Sequence, residues 1–171
     1  PCSARFEVLT KSPLTNLLVG SSCGGPFGEG LRTAGWDGLI IKGCSEKPVY
    51  LYIEDDKVEI LPADHLWGKT TGEVQDLLHD AHSDKARILQ CGPAGENLVT
   101  YACIGSEAYR QMGRGGAGAL FGAKHLKAIA CRGVALTMEV GTPSHERAIV
   151  GECHTVSPAC PNLREIVAAR L

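Results

Sequence analysis

The residues best placed to do chemistry lie in RQMGRGGAGALFGAKHLKAIACRG, which runs from Arg110 to Gly133. Five of the ten residues from Gly113 to Gly122 are glycine. Glycine amides beside Arg110 and Arg114 supply only donors and positive charge, so together they form a nest for an anion. The same glycines also suit two backbones that must pass closely. Gly113 to Gly118 satisfies G-x-G-x-x-G, yet SEAYRQM before it is too polar for a buried strand and the chain lacks βαβ alternation, which argues against a dinucleotide site. Ala123 separates Gly122 from Lys124, so the phosphate-loop signature also fails.

Other chemistry is sparse. His65, His79 and His82 flank or lie on one expected helix and His125 lies within another, with no convincing zinc spacing. Asp55 and Asp56 fit a hairpin turn. Glu96 and Asn97 in GPAGEN belong either to a turn or to a device that fixes the glycine loops. No nucleophile–base set can be argued, so no catalytic residue is assigned, and the chain reads as a binder whose chemistry lies in a cofactor or elsewhere. The cysteines are Cys2, Cys23, Cys44, Cys91, Cys103, Cys131, Cys153 and Cys160, none paired as C-x-x-C. Most sit in apolar stretches, which predicts reduced, buried, cytosolic thiols rather than a disulfide framework.

Composition sets the frame for these residues. The chain has 171 residues, 44% hydrophobic and 21% charged, enough for one domain with a core. A net charge of -2 gives no general attraction to nucleic acid or membranes. No apolar run reaches the ~20 residues of a membrane span. The opening PCSARFEVL lacks a Met, a basic region and an apolar core, which argues against a secretory signal and for a missing natural start.

Several elements must position the loop. RFEVLT (5–10) alternates as a strand, KSPLTN turns, and 16–30 runs from a short strand into a second glycine loop. FGEGLRTAG predicts a short helix ended by Gly35, and WDGLIIKG a strand. The clearest hairpin is 46–61, with VYLYI and KVEIL flanking EDD. Thr70 or Thr71 caps a helix carrying Val74, Leu77 and Leu78 on one stripe. KARILQCG and LVTYACIG (98–105) read as strands, PAGEN as a turn and VALTMEV as a connector. The tail from 141 reads as a linker ending in a helix-like NLREIVAARL.

One pattern recurs. CGGPFGEGLRTAGWDGLIIKG (23–43) and RGGAGALFGAKHLKAIACRG (114–133) both run Gly-Gly, small residues, Gly, a short amphipathic piece and an apolar strand closed by Lys/Arg-Gly. A glycine-rich chain also repeats Gly-Gly by chance, but the matched order favours a duplicated unit with two glycine loops facing one ligand.

TKSPLTN, SSCGGPFGEGL with AGWDGLIIKG, KPVYLYI, HLWGK, GPAGENLV and GRGGAGALFGAKHLKAI occur in this order. In this the chain resembles the N-terminal domain of the tungsten-containing aldehyde ferredoxin oxidoreductase family, over roughly residues 5–135. The resemblance implies an α+β fold of two similar β-rich subdomains that form a saddle for a bis-pterin cofactor. It implies oxidation of aldehydes to carboxylic acids in the cytoplasm of an anaerobe, with electrons passed through a 4Fe-4S cluster to ferredoxin. The metal is tungsten, with molybdenum left open. Residues 1–135 would be the cofactor domain and 136–171 a connector leading into a helical segment.

By motif, the resemblance assigns Arg5, Ser22, Cys23, Gly24, Gly25, Arg110, Gln111, Gly113, Arg114 and Gly115 to the pterins. Backbone carbonyls of Ser22 and Gln111 would meet a phosphate-bridging magnesium ion. Ser22 stands where the family often has Asn, and Cys23 departs from the pattern without being a tungsten ligand. The CxxCxxxC cluster motif is missing, and Cys153 and Cys160 do not replace it. Partners implied are the rest of the enzyme, as helical domains or a separate subunit, ferredoxin and an aldehyde, with a homo-oligomer left open. Alone, the chain should not turn over aldehyde. The alternatives are an aromatic acyl-CoA reductase subunit and a non-catalytic remnant.

Overall fold

A computed structural model describes residues 5–133 together with the backbone of 153–156 and 165–169. The chain folds as a mixed α+β structure built around a six-stranded sheet. The hairpin β4 (Val49–Glu54) and β5 (Lys57–Pro62) forms one side of that sheet. β4 also pairs in parallel with β9 (Leu126–Arg132), which lies beside β6 (Arg87–Cys91). Beyond β6 come β7 (Ile104–Ser106) and β8 (Arg110–Met112). β4 shows why the sheet is central. Its alternation sends Val49, Leu51 and Ile53 into one core and Tyr50 and Tyr52 into another on the opposite face. Each fully buried Leu or Ile contributes about 1.5–3 kcal/mol.

The second face is covered by helix α2 (Thr71–Ala81), which packs Val74 and Leu78 against Tyr50, Tyr52 and Ile88. Thr70 is its N-cap, and its side chain and that of Glu73 satisfy each other's backbone amides in a capping box. The first face receives the short helices α1 (Phe27–Thr33) and α4 (Ala117–Ala123), together with Trp36. The indole N–H of Trp36 donates to Asp55 O at 2.7 Å, which ties the end of α1 to the β4–β5 turn. Two smaller sheets stand outside. Among the described residues β1 (Arg5–Lys11) pairs only with β2 (Leu18–Gly24), and β3 (Gly38–Lys42) pairs with β11 (Glu165–Ala169), itself paired with β10 (Cys153–Val156).

Several expectations are corrected. LVTYACIG is a strand only at its end. Leu98 has φ 57, and the carbonyl of Ala102 turns to accept from Gly118 N at 2.9 Å, so 98–102 becomes a turn under α4. PAGEN is a short helix, α3 (Pro93–Glu96), rather than a simple turn. His125 lies after α4 at φ 52 instead of within a helix, because its N–H closes onto Gly122 O. NLREIVAARL contains the strand β11 rather than a helix, because it finds a partner edge in β3, with Ile166 opposite Ile41. VALTMEV, Cys2 and Cys160 lie outside the described residues, as does the boundary expected at 135/136. Of the cysteines whose side chains are described, all are free: Cys23, Cys91 and Cys131 are buried, Cys103 is half-buried and Cys44 is exposed.

Candidate functional site

The two glycine loops meet. β2 brings Ser21–Gly25 alongside β8 and the turn that follows it. Arg114 N donates to Ser21 Oγ at 3.3 Å across 93 residues of sequence. Gly25 has φ 135, and a Cβ there would stand 2.9 Å from Arg110 Cδ, so the Arg110 side chain lies flat on the first loop. A Cβ on Gly115 would stand 2.6 Å from Val19. Both positions therefore need glycine, for left-handed backbone and for close approach.

The face so formed is electropositive. Arg5, Arg110 and Arg114 are exposed, and among the described residues no carboxylate lies within ion-pair distance of them. Gln111 and Gly113 are exposed beside them, and a Cβ on Gly113 would meet nothing within 4 Å. Ser22 is exposed and its hydroxyl donates to Glu7 at 3.4 Å. Cys23 points inward opposite Phe6, 5% exposed, with its thiol 3.2 Å from Gly24 O. Burial pushes this thiol above its ordinary range, while Arg110 and Arg5 pull it back. A buried, neutral thiol is a poor metal ligand. All ten residues assigned by motif thus fall in one region, with Cys23 as its packed underside. Among the described residues no group of three or more His, Cys, Asp or Glu side chains stands ready for a metal.

The remaining glycines have the other use. A Cβ on Gly116 would overlap Thr100 O, one on Gly118 would overlap Cys103 O, and one on Gly122 would overlap Gly95 O. These are backbone-to-backbone contacts that seat α4 on α3 and on the turn that follows it. Behind them lies a buried ion pair, Lys127 with Glu96, with side chains 0% and 5% exposed. Lys127 Nζ also donates to Lys69 O at 2.9 Å, and the Glu96 carboxylate accepts from Gly68 N at 2.9 Å. HLWGK, GPAGEN and KHLKAI are therefore one hydrogen-bonded unit, in which Glu96 ties α3 to β9 and to the backbone at Gly68. Ser21 and Lys127 escaped sequence reasoning. The lone Lys inside LKAIA was the available signal for Lys127, and nothing in SSCGG distinguishes Ser21 from Ser22.

The sequence profile of "Aldehyde ferredoxin oxidoreductase, N-terminal domain" matches residues 1–133. The chain is 46% identical over 134 residues to the tungsten-containing aldehyde ferredoxin oxidoreductase of Pyrococcus furiosus, covering 78% of this chain and 22% of that protein. Identity to the enzyme of the same name from Thermococcus kodakarensis is 48%, with the same shares covered. Among solved structures it is similar to the active site complex BamBC of benzoyl coenzyme A reductase, with a TM-score of 0.74 and 42% identity over 76% of this chain and 20% of that one. The chain thus spans about a fifth of the length of these relatives. No helix among the described residues is long and apolar enough to cross a membrane. With the profile matched across the two loops and the sheet behind them, the chain belongs to the aldehyde ferredoxin oxidoreductase family, whose N-terminal domain it carries.

Proposed function

We propose that this chain is the cofactor-binding domain of a tungsten, or molybdenum, bis-pterin oxidoreductase that converts aldehydes to carboxylic acids and reduces ferredoxin. The observation that carries the reading is the convergence of Arg5, Arg110 and Arg114, unpaired, on one face where two glycine loops touch. The residues suit the cofactor's phosphates. Guanidinium groups fork onto phosphate oxygens, and the open side of Gly113 leaves its backbone accessible. Arg5, Arg110 and Arg114 would hold the phosphates, and the backbone carbonyls of Ser22 and Gln111 a magnesium ion between them. Bound, the cofactor would supply the two-electron redox chemistry. The chain's own residues bind and orient it, and they offer no acid or base for the substrate. In this reading the units β2–α1–β3 and β8–α4–β9 are duplicated halves of a saddle. The iron–sulfur ligands, the ferredoxin contact, any contact between copies and the substrate channel belong to the rest of a cytoplasmic enzyme, reached through residues 136–171.

The test is anaerobic co-expression with the remaining portions of the T. kodakarensis relative, followed by metal and pterin analysis. One tungsten or molybdenum per chain is expected. Arg110→Ala with Arg114→Ala should reduce retention by about tenfold or more, since each charged hydrogen bond contributes about 1.5–3 kcal/mol. Absence of both metals from the assembly would sink the proposal, and unchanged retention in the double variant would leave only a folded remnant. The 42% identity to the benzoyl coenzyme A reductase complex favours one second reading, an aromatic acyl-CoA reductase subunit. Ferredoxin-dependent aldehyde oxidation assayed against acyl-CoA reduction separates the two.

A further inference from the structure

Tyr50, Tyr52 and His82 form an aromatic cluster that the arginine face does not use. β4 sends both tyrosines to the side of the sheet covered by α2, where they are buried, and His82 caps the C-terminal end of that helix. The His82 ring stacks on Tyr52, with centroids 3.7 Å apart and planes 10° from parallel. Its Nε2 lies 3.0 Å from the hydroxyl oxygen of Tyr50. Packing alone would account for the stack. It does not account for a phenol oxygen set on a ring nitrogen in a largely aliphatic core, where a phenylalanine would pack as well and leave no polar group to satisfy. The distance lies in the range over which a positioned base takes a proton. The phenol has a proton to give, and a neutral imidazole has a lone pair to receive it. Burial holds His82 below its ordinary pKa, against the pull of Glu54 and Glu59, so the ring is neutral near pH 7. Burial, helped by Glu59, raises Tyr50, so its proton stays on. The other buried aromatic donors lack such a base. Trp36 donates to a carbonyl oxygen, which does not take up a proton. The Tyr52 hydroxyl meets Glu54, whose carboxylate is paired with Arg132 and is a weaker base than imidazole.

We infer that Tyr50 and His82 form a redox-active pair, in which Tyr50 gives up an electron and its phenolic proton together and His82 holds the proton. A one-electron oxidant of the peroxyl-radical class takes the electron and becomes a hydroperoxide anion. In the same step the Tyr50 O–H bond breaks and an N–H bond forms at His82 Nε2, which leaves a neutral phenoxyl radical beside an imidazolium. A thiolate later supplies one electron, becoming a thiyl radical, and His82 returns the proton, so both side chains are restored. Without the base, oxidation would leave a radical cation in a dry core, where an unpaired charge is costly. The imidazolium is provided for. It lies on the π-face of Tyr52, and Glu54 of β4 and Glu59 of β5 favour its charge. Arg132 of β9 and Lys57 of β5 are paired with those two carboxylates. On α2, His79 is engaged with Ala86 O, and Arg87 of β6 lies on the opposite face of the sheet, against Gly30. The pair gives this domain a place to hold a stray oxidising equivalent, across the sheet from the buried thiols of Cys91 and Cys131. The inference goes beyond the cofactor reading and does not rest on it.

Flash photolysis tests this on the full chain, with photogenerated tris(bipyridine)ruthenium(III) as the oxidant and transient absorption and electron paramagnetic resonance as readouts. Tyr101→Phe with Tyr109→Phe serves as the background, because both rings are exposed and Tyr50 and Tyr52 are then the remaining tyrosines. A phenoxyl signal is expected there, lost in Tyr50→Phe and kept in Tyr52→Phe. Its formation should be at least tenfold slower in His82→Phe, since a positioned base commonly accelerates proton transfer by more than that. Phenylalanine at 82 keeps a ring on Tyr52 while removing the base, and the denaturation midpoint reports folding. On the background protein, formation should slow in heavy water. It should also slow as pH falls through the His82 pKa, below 6.5, because imidazolium cannot receive a proton. A signal that survives Tyr50→Phe, an unchanged rate in folded His82→Phe, a flat pH profile or equal rates in light and heavy water overturns the inference. Should His82→Phe not fold, the pH and isotope measurements decide. Metal and pterin content bear on none of these outcomes, so the cofactor reading stands or fails separately.

Discussion

β2–α1–β3 and β8–α4–β9 follow the same order, and each holds a helix of seven residues, yet they are supported very differently. The second unit ends in the heart of the six-stranded sheet. Its strand β9 is buried from Leu126 to Cys131, and its helix sits backbone to backbone on α3. The first unit hangs on a two-stranded ribbon, with Leu9, Leu14, Leu17 and Leu18 between 62% and 81% exposed. The difference teaches that similar glycine patterns do two jobs. In the second unit most glycines let backbones touch. In the first, Gly25 and Gly30 make room for the side chains of Arg110 and Arg87, while Gly113 in the second faces open space.

That contrast can be broken most forcefully at its anchor. Lys127→Ala should cost about 3–5 kcal/mol in urea denaturation, because Glu96 is left buried and unpaired. Lys127→Met with Glu96→Gln should recover much of the loss. A single-variant cost near zero would show that the second unit is not held by this pair. Gly122→Ala comes next, at about 3 kcal/mol, since Gly95 O is a backbone atom that cannot step aside. Gly113→Ala should be neutral or slightly stabilising, within about 0.5 kcal/mol, and equal costs at the two sites would erase the distinction between packing and surface glycines.

The smallest effect is on pH. Burial pushes the Cys91 thiol from 9.0 up to about 12 and raises Cys131 further. Below pH 9 the Cys91 thiol is protonated whether the chain is folded or not. As pH rises from there toward 12 the unfolded chain releases a proton that the folded chain keeps, so stability falls. The Cys91 contribution to the denaturation midpoint should be flat below pH 9 and decline above it, so Cys91→Ala should show a shallower decline there.

Much of this was readable in the residues. The β4–β5 hairpin was clear because the β-rich VYLYI and KVEIL flank a polar EDD, and α2 because a threonine cap precedes the stripe of Val74, Leu77 and Leu78. Arg110, Arg114 and both glycine loops stood out because donor-only chemistry leaves its mark in residue type, and the structure brings the two loops together. What stayed hidden depends on distant partners. LVTYACIG has strand composition, but its carbonyls are claimed by α4. NLREIVAARL has a helical period, yet β3 offers it an edge. Ser21 rather than Ser22 reaches Arg114 because pairing with β1 decides which serine faces inward.

The hydrogen bond from Arg114 to Ser21 joins residues 93 apart. The parallel pairing of β4 with β9 in the central sheet, Val49 opposite Leu126, spans nearly as much sequence, so loop closure costs the two contacts about the same and both are slow to form. The charged face and the central sheet thus depend on the same long-range closure of the chain. Until the residues of β9 are made, the chain has neither a closed central sheet nor a finished arginine face.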